Sequence, residues 1–399
     1  MHLKYLSLAL LIGTASAQTV NFNLQAKVFD YGQNVTAIEL ETKHLAIPAK
    51  ALKTSDFQVH AKSSLPINAM GNKVAGEFDT ERKITKVTLN KQGNIVLSLE
   101  HGKDIVGANT LAYIAGDIGR NVQLGLDYQI RQTRDLALLP KDTTYRQQAL
   151  IDHEVAKFTA YTSQQGIHYQ LFQPQNSHEK RPLIIWLHGN GEGGVGAYQN
   201  NISTLLANRG GVAFASDEAQ KIFGGAYVVV PQVPDTWYLN YQKDYIHQIK
   251  ALIDEVNANH QIDRDRIYLF GASAGGYMSL RMLLEYPDFF AATVATAPAL
   301  DKAPIAGGVP TTEQELQRIQ GKPLWLVHAA NDPTISYPAT SKRVFQTLRD
   351  HGAILSVYPE VKIGKTTYNG HWSWIYTLRN IPKTPHGESL FEWTAKQKR

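Results

Sequence analysis

A serine hydroxyl attacks a carbonyl only when a neighbouring base takes its proton, so a nucleophilic serine is recognised by its surroundings. Gly271-Ala272-Ser273-Ala274-Gly275 fits G-x-S-x-G, a strand-to-helix elbow that lifts a strained serine Oγ into the open. The pattern is short, and a serine among small residues can also be a plain helix N-cap. Its flanks favour chemistry. Arg266–Phe270 reads as a short, mostly apolar strand, and "YMSLRMLLEYP" then places Met278, Leu280, Met282 and Leu283 at helical spacing. Neighbours of a residue held in a sparsely populated conformation are crowded against strand and helix, so only Gly and Ala fit at 271, 272, 274 and 275.

A base, and a carboxylate to hold it in the right tautomer, should follow in the chain order Ser, Asp or Glu, His. Asp332 in "PLWLVHAANDPTISY" sits directly after a buried strand, which would bring it out at the same sheet edge as Ser273. Asp301 in "TAPALD" is its rival. His371 in "YNGHWSW" lies after the last strand beside Gly370; His386 in "TPHGES" is the alternative base, and His328, inside a strand end, reads as a packed, hydrogen-bonded ring.

The oxyanion that such an attack creates needs preorganised donors. One is expected from the Ala274 backbone N–H and another from "LHGNGEGG", with Asn190 first and Gly191 next, while His188 reads as a structural brace. Gly189, Gly191 and Gly194 also satisfy G-x-G-x-x-G. Against a dinucleotide stand Glu192 inside the supposed phosphate cradle and a following strand, "AYVVVPQ", with no acidic residue at its end. Trp237, Tyr238, Trp372 and Trp374 flank the site loops. Trp237, Trp372 and Glu192 are therefore candidate substrate contacts, although packing suits the tryptophans and loop bracing suits Glu192. With no H-E-x-x-H, P-loop or EF-hand pattern, neither a metal nor a cofactor is expected.

The elements that must position these residues fall into two textures. From Val20 to about Ile130, short alternating runs such as "VTAIELE", "DFQVHAK" and "NIVLSLE" point to an antiparallel sandwich, placed at residues 18–140. Polar "RQTRDLALLPKDTTYRQQ", broken by Pro140, marks the boundary. From 152 to 399, near-continuous apolar runs ("PLIIWLHG", "AYVVVPQ", "RIYLFGAS", "ATVATAP", "PLWLVHAA", "ILSVYPE") alternate with helical patterns, including Ile246, Ile249, Leu252, Ile253 and Val256. That alternation predicts a mostly parallel sheet with helices on both faces. The first region offers no clustered Ser, His and carboxylate set and is expected to shape access or stability, not turnover of small substrates.

Residues 1–17 read as an export signal: Lys4, a mostly apolar run from Tyr5 to Ile12, and Ala15-Ser16-Ala17 as a cleavage site. The product is expected outside the cytoplasm, in periplasm or medium, without membrane insertion. The 399 residues contain no cysteine, which removes disulfides, thiol nucleophiles and thiolate metal sites together. The formal charge of +5 is spread along the chain and does not suggest a nucleic-acid face.

Together, "PLIIWLHGNGEGG", "VVVPQ", "IYLFGASAGGYMSL", "VHAANDPTISY" and "GHWSW", with "FDYGQNVTAIELE" and "DFQVHA" before them, resemble the extracellular two-domain esterases of the α/β-hydrolase superfamily. Those proteins carry an N-terminal immunoglobulin-like domain and are similar to polyhydroxybutyrate depolymerase, feruloyl esterase and prolyl oligopeptidase catalytic domains. The resemblance implies an α/β-hydrolase fold behind an immunoglobulin-like sandwich, with Ser273 as nucleophile, Asp332 as acid, His371 as base and the 188–194 loop as oxyanion support. The expected activity is cleavage of small or polymeric carboxylic esters through an acyl-enzyme. A serine peptidase is the alternative, and a noncatalytic binding protein on a hydrolase scaffold is the alternative of another class.

Overall fold

The computed structural model describes residues 18–117, 119–175, 179–195 and 198–399; the expected export signal lies outside them. Eight strands form the larger sheet: β1 (Phe158–Thr162), β2 (His168–Phe172), β3 (Arg181–Leu187), β4 (Tyr227–Gln232), β5 (Ile262–Ala272), β6 (Ala292–Thr296), β7 (Leu324–Ala329) and β8 (Ile354–Tyr358). Their spatial order is β1-β2-β4-β3-β5-β6-β7-β8. β2 runs antiparallel to both neighbours, and every pairing from β4 to β8 is parallel.

The apolar runs have the burial that their composition requires. Along β3, Leu183, Ile185 and Leu187 enter one core while Ile184 and Trp186 enter another on the opposite face. Side chains alternate across a strand, so a strand covered on both faces must be apolar at every position. Helix α1 (Tyr245–Asn259) buries the predicted Ile246, Ile249, Leu252, Ile253 and Val256. Helix α2 (Ala274–Glu285) is buried from Ala274 through Leu284, which holds the residue before its first turn rigidly at the end of β5.

The N-terminal region is mostly strands. A five-stranded sheet is ordered Thr144–Ile151, Thr19–Phe29, Gly32–Leu40, Ile95–Leu99, Ile84–Leu89, and a three-stranded sheet is ordered Gly125–Gln132, Phe57–Ser64, Asp79–Arg82. Phe22, Leu24 and Ile38 from the first share one core with Val59, Ala61 and Tyr128 from the second. Thr144–Ile151 pairs in parallel with Thr19–Phe29, so the all-β region continues past residue 140. A small third sheet of Val74–Ala75, Leu111–Ile114 and Arg120–Gln123 packs Ile114 and Val122 against Val195 and Tyr198 of the larger unit. Elsewhere on the interface, Arg379 donates to both oxygens of Asp30, Nε to Oδ1 at 3.1 Å and Nη2 to Oδ2 at 2.7 Å.

Candidate active site

Ser273 stands between β5 and α2 at φ 56°, ψ −117°, a conformation that L side chains rarely adopt. Three hydrogen bonds hold it there: its N–H donates to Thr296 O at 2.9 Å, and its carbonyl accepts from Tyr277 and Ala299 N–H, each at 3.0 Å. The small neighbours are obligatory. A Cβ on Gly275 would lie 2.1 Å from Leu187 O, and one on Gly271 would lie 2.3 Å from Gly275 O. The elbow thus fits only because β3 and α2 approach through glycine.

Asp332, after β7, and His371, in the turn Gly370–Trp372, converge on this serine although they lie 59 and 98 residues further along the chain. His371 Nε2 is 2.9 Å from Ser273 Oγ, and His371 Nδ1 is 2.8 Å from Asp332 Oδ2. The Nδ1 atom faces a carboxylate and carries the proton, which leaves Nε2 to accept from Ser273. The turn itself is capped by Asn369, whose Oδ1 accepts the His371 N–H at 2.9 Å.

The Asp332 carboxylate is fully buried yet well supplied with donors. Oδ1 accepts from the N–H groups of Thr334 at 2.8 Å and Ile335 at 2.9 Å; Oδ2 accepts from His328 Nε2 at 3.1 Å as well as from His371. Burial alone would raise its pKa, but the donated hydrogen bonds from His328 and His371 outweigh that and hold it well below the ordinary carboxylate range. His328 is itself fixed by Ser341 Oγ, 2.8 Å from Nδ1. The sequence placed His328 in the packing and missed that it is the second donor to Asp332; its position four residues before the acid at the end of β7 was the available signal.

The rivals lie elsewhere in the hydrogen-bond pattern. Asp301 Oδ2 accepts the Ser336 N–H at 3.0 Å, and His386 is exposed in the 384–388 turn. Beside Ser273 runs the glycine-rich loop after β3. Ala274 opens α2, where the first N–H groups have no partner inside the helix. The amides of Asn190 and Gly191 have no acceptor among the described residues, while the Asn190 side chain is tied down by Thr236 Oγ1, which donates to Oδ1 at 2.7 Å.

His188 is a brace. Its ring lies 4.8 Å from that of Trp237, its Nδ1 donates to Gly189 O at 2.6 Å, and burial, aided by the Arg120 charge, pushes its pKa down to about 3. Trp237, a candidate substrate contact from sequence, is instead fully buried and donates Nε1–H to His188 O at 2.9 Å. Trp372 is half-buried against Tyr368 and Trp374, and it is Trp374 whose ring lies near-perpendicular to that of His371, centroids 5.2 Å apart. Glu192 is buried and braced: Asn121 Nδ2 donates to its Oε1 at 3.1 Å. Burial raises the Glu192 pKa against the opposing pull of Asn121, the Gly189 N–H, Arg120 and His371. Neither Asn121 nor its neighbour Arg120 was singled out from the sequence.

Comparisons agree with this geometry at the level of fold. The model of the prolyl oligopeptidase family matches residues 233–305. A putative esterase, NocK, of Nocardia uniformis subsp. tsuyamanensis is 28% identical over 156 residues, 39% of this chain and 41% of that protein. Poly(3-hydroxyalkanoate) depolymerase C of Paucimonas lemoignei is 45% identical over 60 residues, 15% of this chain and 12% of that protein. The chain therefore spans less than half the length of either relative. A solved structure of a thermostable esterase superposes with TM-score 0.75 at 25% identity, covering 95% of this chain and 99% of that one. The chain has the α/β-hydrolase fold, and the proteins it resembles are hydrolases of esters and related bonds.

Proposed function

We propose that the protein is a serine hydrolase that cleaves carboxylic esters through an acyl-enzyme. The observation that carries the reading is the continuous relay from Ser273 Oγ to His371 to Asp332, at 2.9 and 2.8 Å, on a serine held at positive φ. His371 Nε2 takes the Ser273 proton as Oγ bonds to the ester carbonyl carbon, and the carbonyl oxygen becomes an oxyanion. The N–H groups of Ala274 and of Asn190 or Gly191 are its donors in this reading. Collapse of the adduct breaks the carbon–oxygen bond to the alcohol, which leaves with the proton from His371. Water then repeats the sequence: it gives a proton to His371 as its oxygen bonds to the acyl carbon, the bond from that carbon to Ser273 Oγ breaks, and Oγ takes the proton back from His371 as the acid is released. Asp332 stays ionised throughout and stabilises the imidazolium.

Likeness to an esterase and a depolymerase supports ester substrates, and the prolyl oligopeptidase match over 233–305 is the reason to test amides beside them. The N-terminal sheets fit an immunoglobulin-like module, and residues 1–17 support export. The test is hydrolysis of p-nitrophenyl esters and peptide anilides by wild type and Ser273→Ala. Ester turnover that falls at least about 10³-fold in the variant is expected; turnover within about tenfold of wild type sinks the mechanism.

A further inference from the structure

The loop that carries the Asn190 and Gly191 amides is held from outside the hydrolase unit. Strand Arg120–Gln123 of the small N-terminal sheet lies along it. Asn121 donates to the buried Glu192 carboxylate at 3.1 Å, and Arg120 donates through Nε to Gly194 O at 3.3 Å and through Nη2 to Asp235 O at 2.8 Å. Two residues further on, Gln123 Oε1 accepts from Asn200 Nδ2 at 2.7 Å. The fit is close enough to constrain the glycines. A Cβ on Gly191 would lie 2.9 Å from Asn121 Nδ2, and one on Gly193 would lie 2.0 Å from Asp235 O and 3.2 Å from Arg120 Nε. Glu192 and the nucleophile flank the same glycine: a Cβ on Gly189 would lie 3.0 Å from Glu192 Oε2 and 3.8 Å from Ser273 Cβ.

We infer that Asn121, supported by Arg120, is a positioning residue for the oxyanion loop, so that the N-terminal sheets complete the active site instead of only walling or stabilising it. The inference rests on the acyl-enzyme reading above. Its physical basis is that Glu192, a buried carboxyl, fixes the loop only while its own acceptor atoms are satisfied. Asn121 supplies the side-chain donor, Nδ2 to Oε1 at 3.1 Å. Without Asn121 the carboxylate must find water or turn away, and the loop amides move with it. Both acylation and deacylation use the same oxyanion donors, so such a displacement lowers kcat and leaves KM nearly unchanged.

The test uses the full chain with p-nitrophenyl acetate, a substrate too small for access to be limiting, and compares Asn121→Ala with the isosteric Asn121→Asp. Expected for both is a loss of kcat of about 10- to 100-fold, the range for slight misplacement of a catalytic group, with KM within about threefold and a parallel fall in the rate of fluorophosphonate labelling. Asn121→Asp keeps the shape and removes the donor, so a merely packing role leaves that variant near wild type; kcat within about twofold overturns the inference. In a Glu192→Ala background, Asn121→Ala should cost less than about threefold, because the shared contact is already gone; undiminished, additive losses also overturn it. Failure of the underlying reading is separable, since it shows as retained turnover in Ser273→Ala, whatever Asn121 does.

Discussion

Replacing Asp332 by asparagine changes one atom and should nearly abolish turnover without unfolding the protein. Asp332 Oδ1 accepts two backbone N–H groups and Oδ2 faces two imidazoles. The amide nitrogen of the introduced side chain cannot face fixed N–H donors, so it must take the Oδ2 position and present one hydrogen to each ring. His328 can accommodate this: it accepts at Nε2 and donates Nδ1–H to Ser341 Oγ, 2.8 Å away. His371 accommodates it only by moving its own proton to Nε2, the atom 2.9 Å from Ser273 Oγ. A protonated Nε2 cannot take the serine proton. The wrong tautomer is worth on the order of 10⁴ in rate, about 5 kcal/mol on the barrier. Steady-state hydrolysis of a p-nitrophenyl ester, with urea unfolding alongside, is the assay. A variant of near-wild-type stability with turnover within about tenfold of wild type refutes the relay.

Further outcomes follow from neighbouring contacts. Gly275→Ala puts a Cβ 2.1 Å from Leu187 O and 2.5 Å from His188 O, so it should cost about 1–3 kcal/mol in urea unfolding and most of the turnover; a stable, active variant contradicts the elbow packing. His328→Phe removes one donor from the Asp332 carboxylate and should cost about 1–3 kcal/mol of stability, with a smaller loss of turnover than Asp332→Asn; the reverse ranking contradicts the assigned roles. Because burial raises the Glu192 pKa, the folded state holds that proton above the pH at which the unfolded chain releases it, and stability falls as pH rises past the ordinary carboxyl range. Glu192→Gln removes this dependence, so its Tm relative to wild type should be higher at about pH 8 than at about pH 4; a gap that is constant or opens in the other direction argues against a strained buried carboxylate.

How much of this was legible in the sequence followed the range of the interactions. The elbow is local chemistry, five consecutive residues whose size is dictated by backbone contacts, so the strained turn at Ser273 could be anticipated directly. That Asp332 and His371 would lie beside Ser273 could be anticipated because strand ends on a parallel sheet open onto one edge, which converts chain order into proximity. Thr144–Ile151 was hidden because it is an edge strand without a fully buried position, and its polar sequence reads as a linker. Trp237 could be placed in a site loop but left open between substrate contact and packing; the loop turns it inward onto His188. The Asn121–Glu192 contact spans 71 residues and joins the small N-terminal sheet to the loop after β3. Neither residue carries a pattern of its own, so only their docking reveals it.

The most direct test of a Ser273 acyl-enzyme is covalent trapping. Wild-type protein should react with a fluorophosphonate to give a single adduct that maps by peptide mass spectrometry to Ser273, with esterase activity lost in proportion to labelling, while His371→Ala labels far more slowly because its serine has no base. An adduct on another residue, or full activity in completely labelled protein, contradicts Ser273 as the nucleophile.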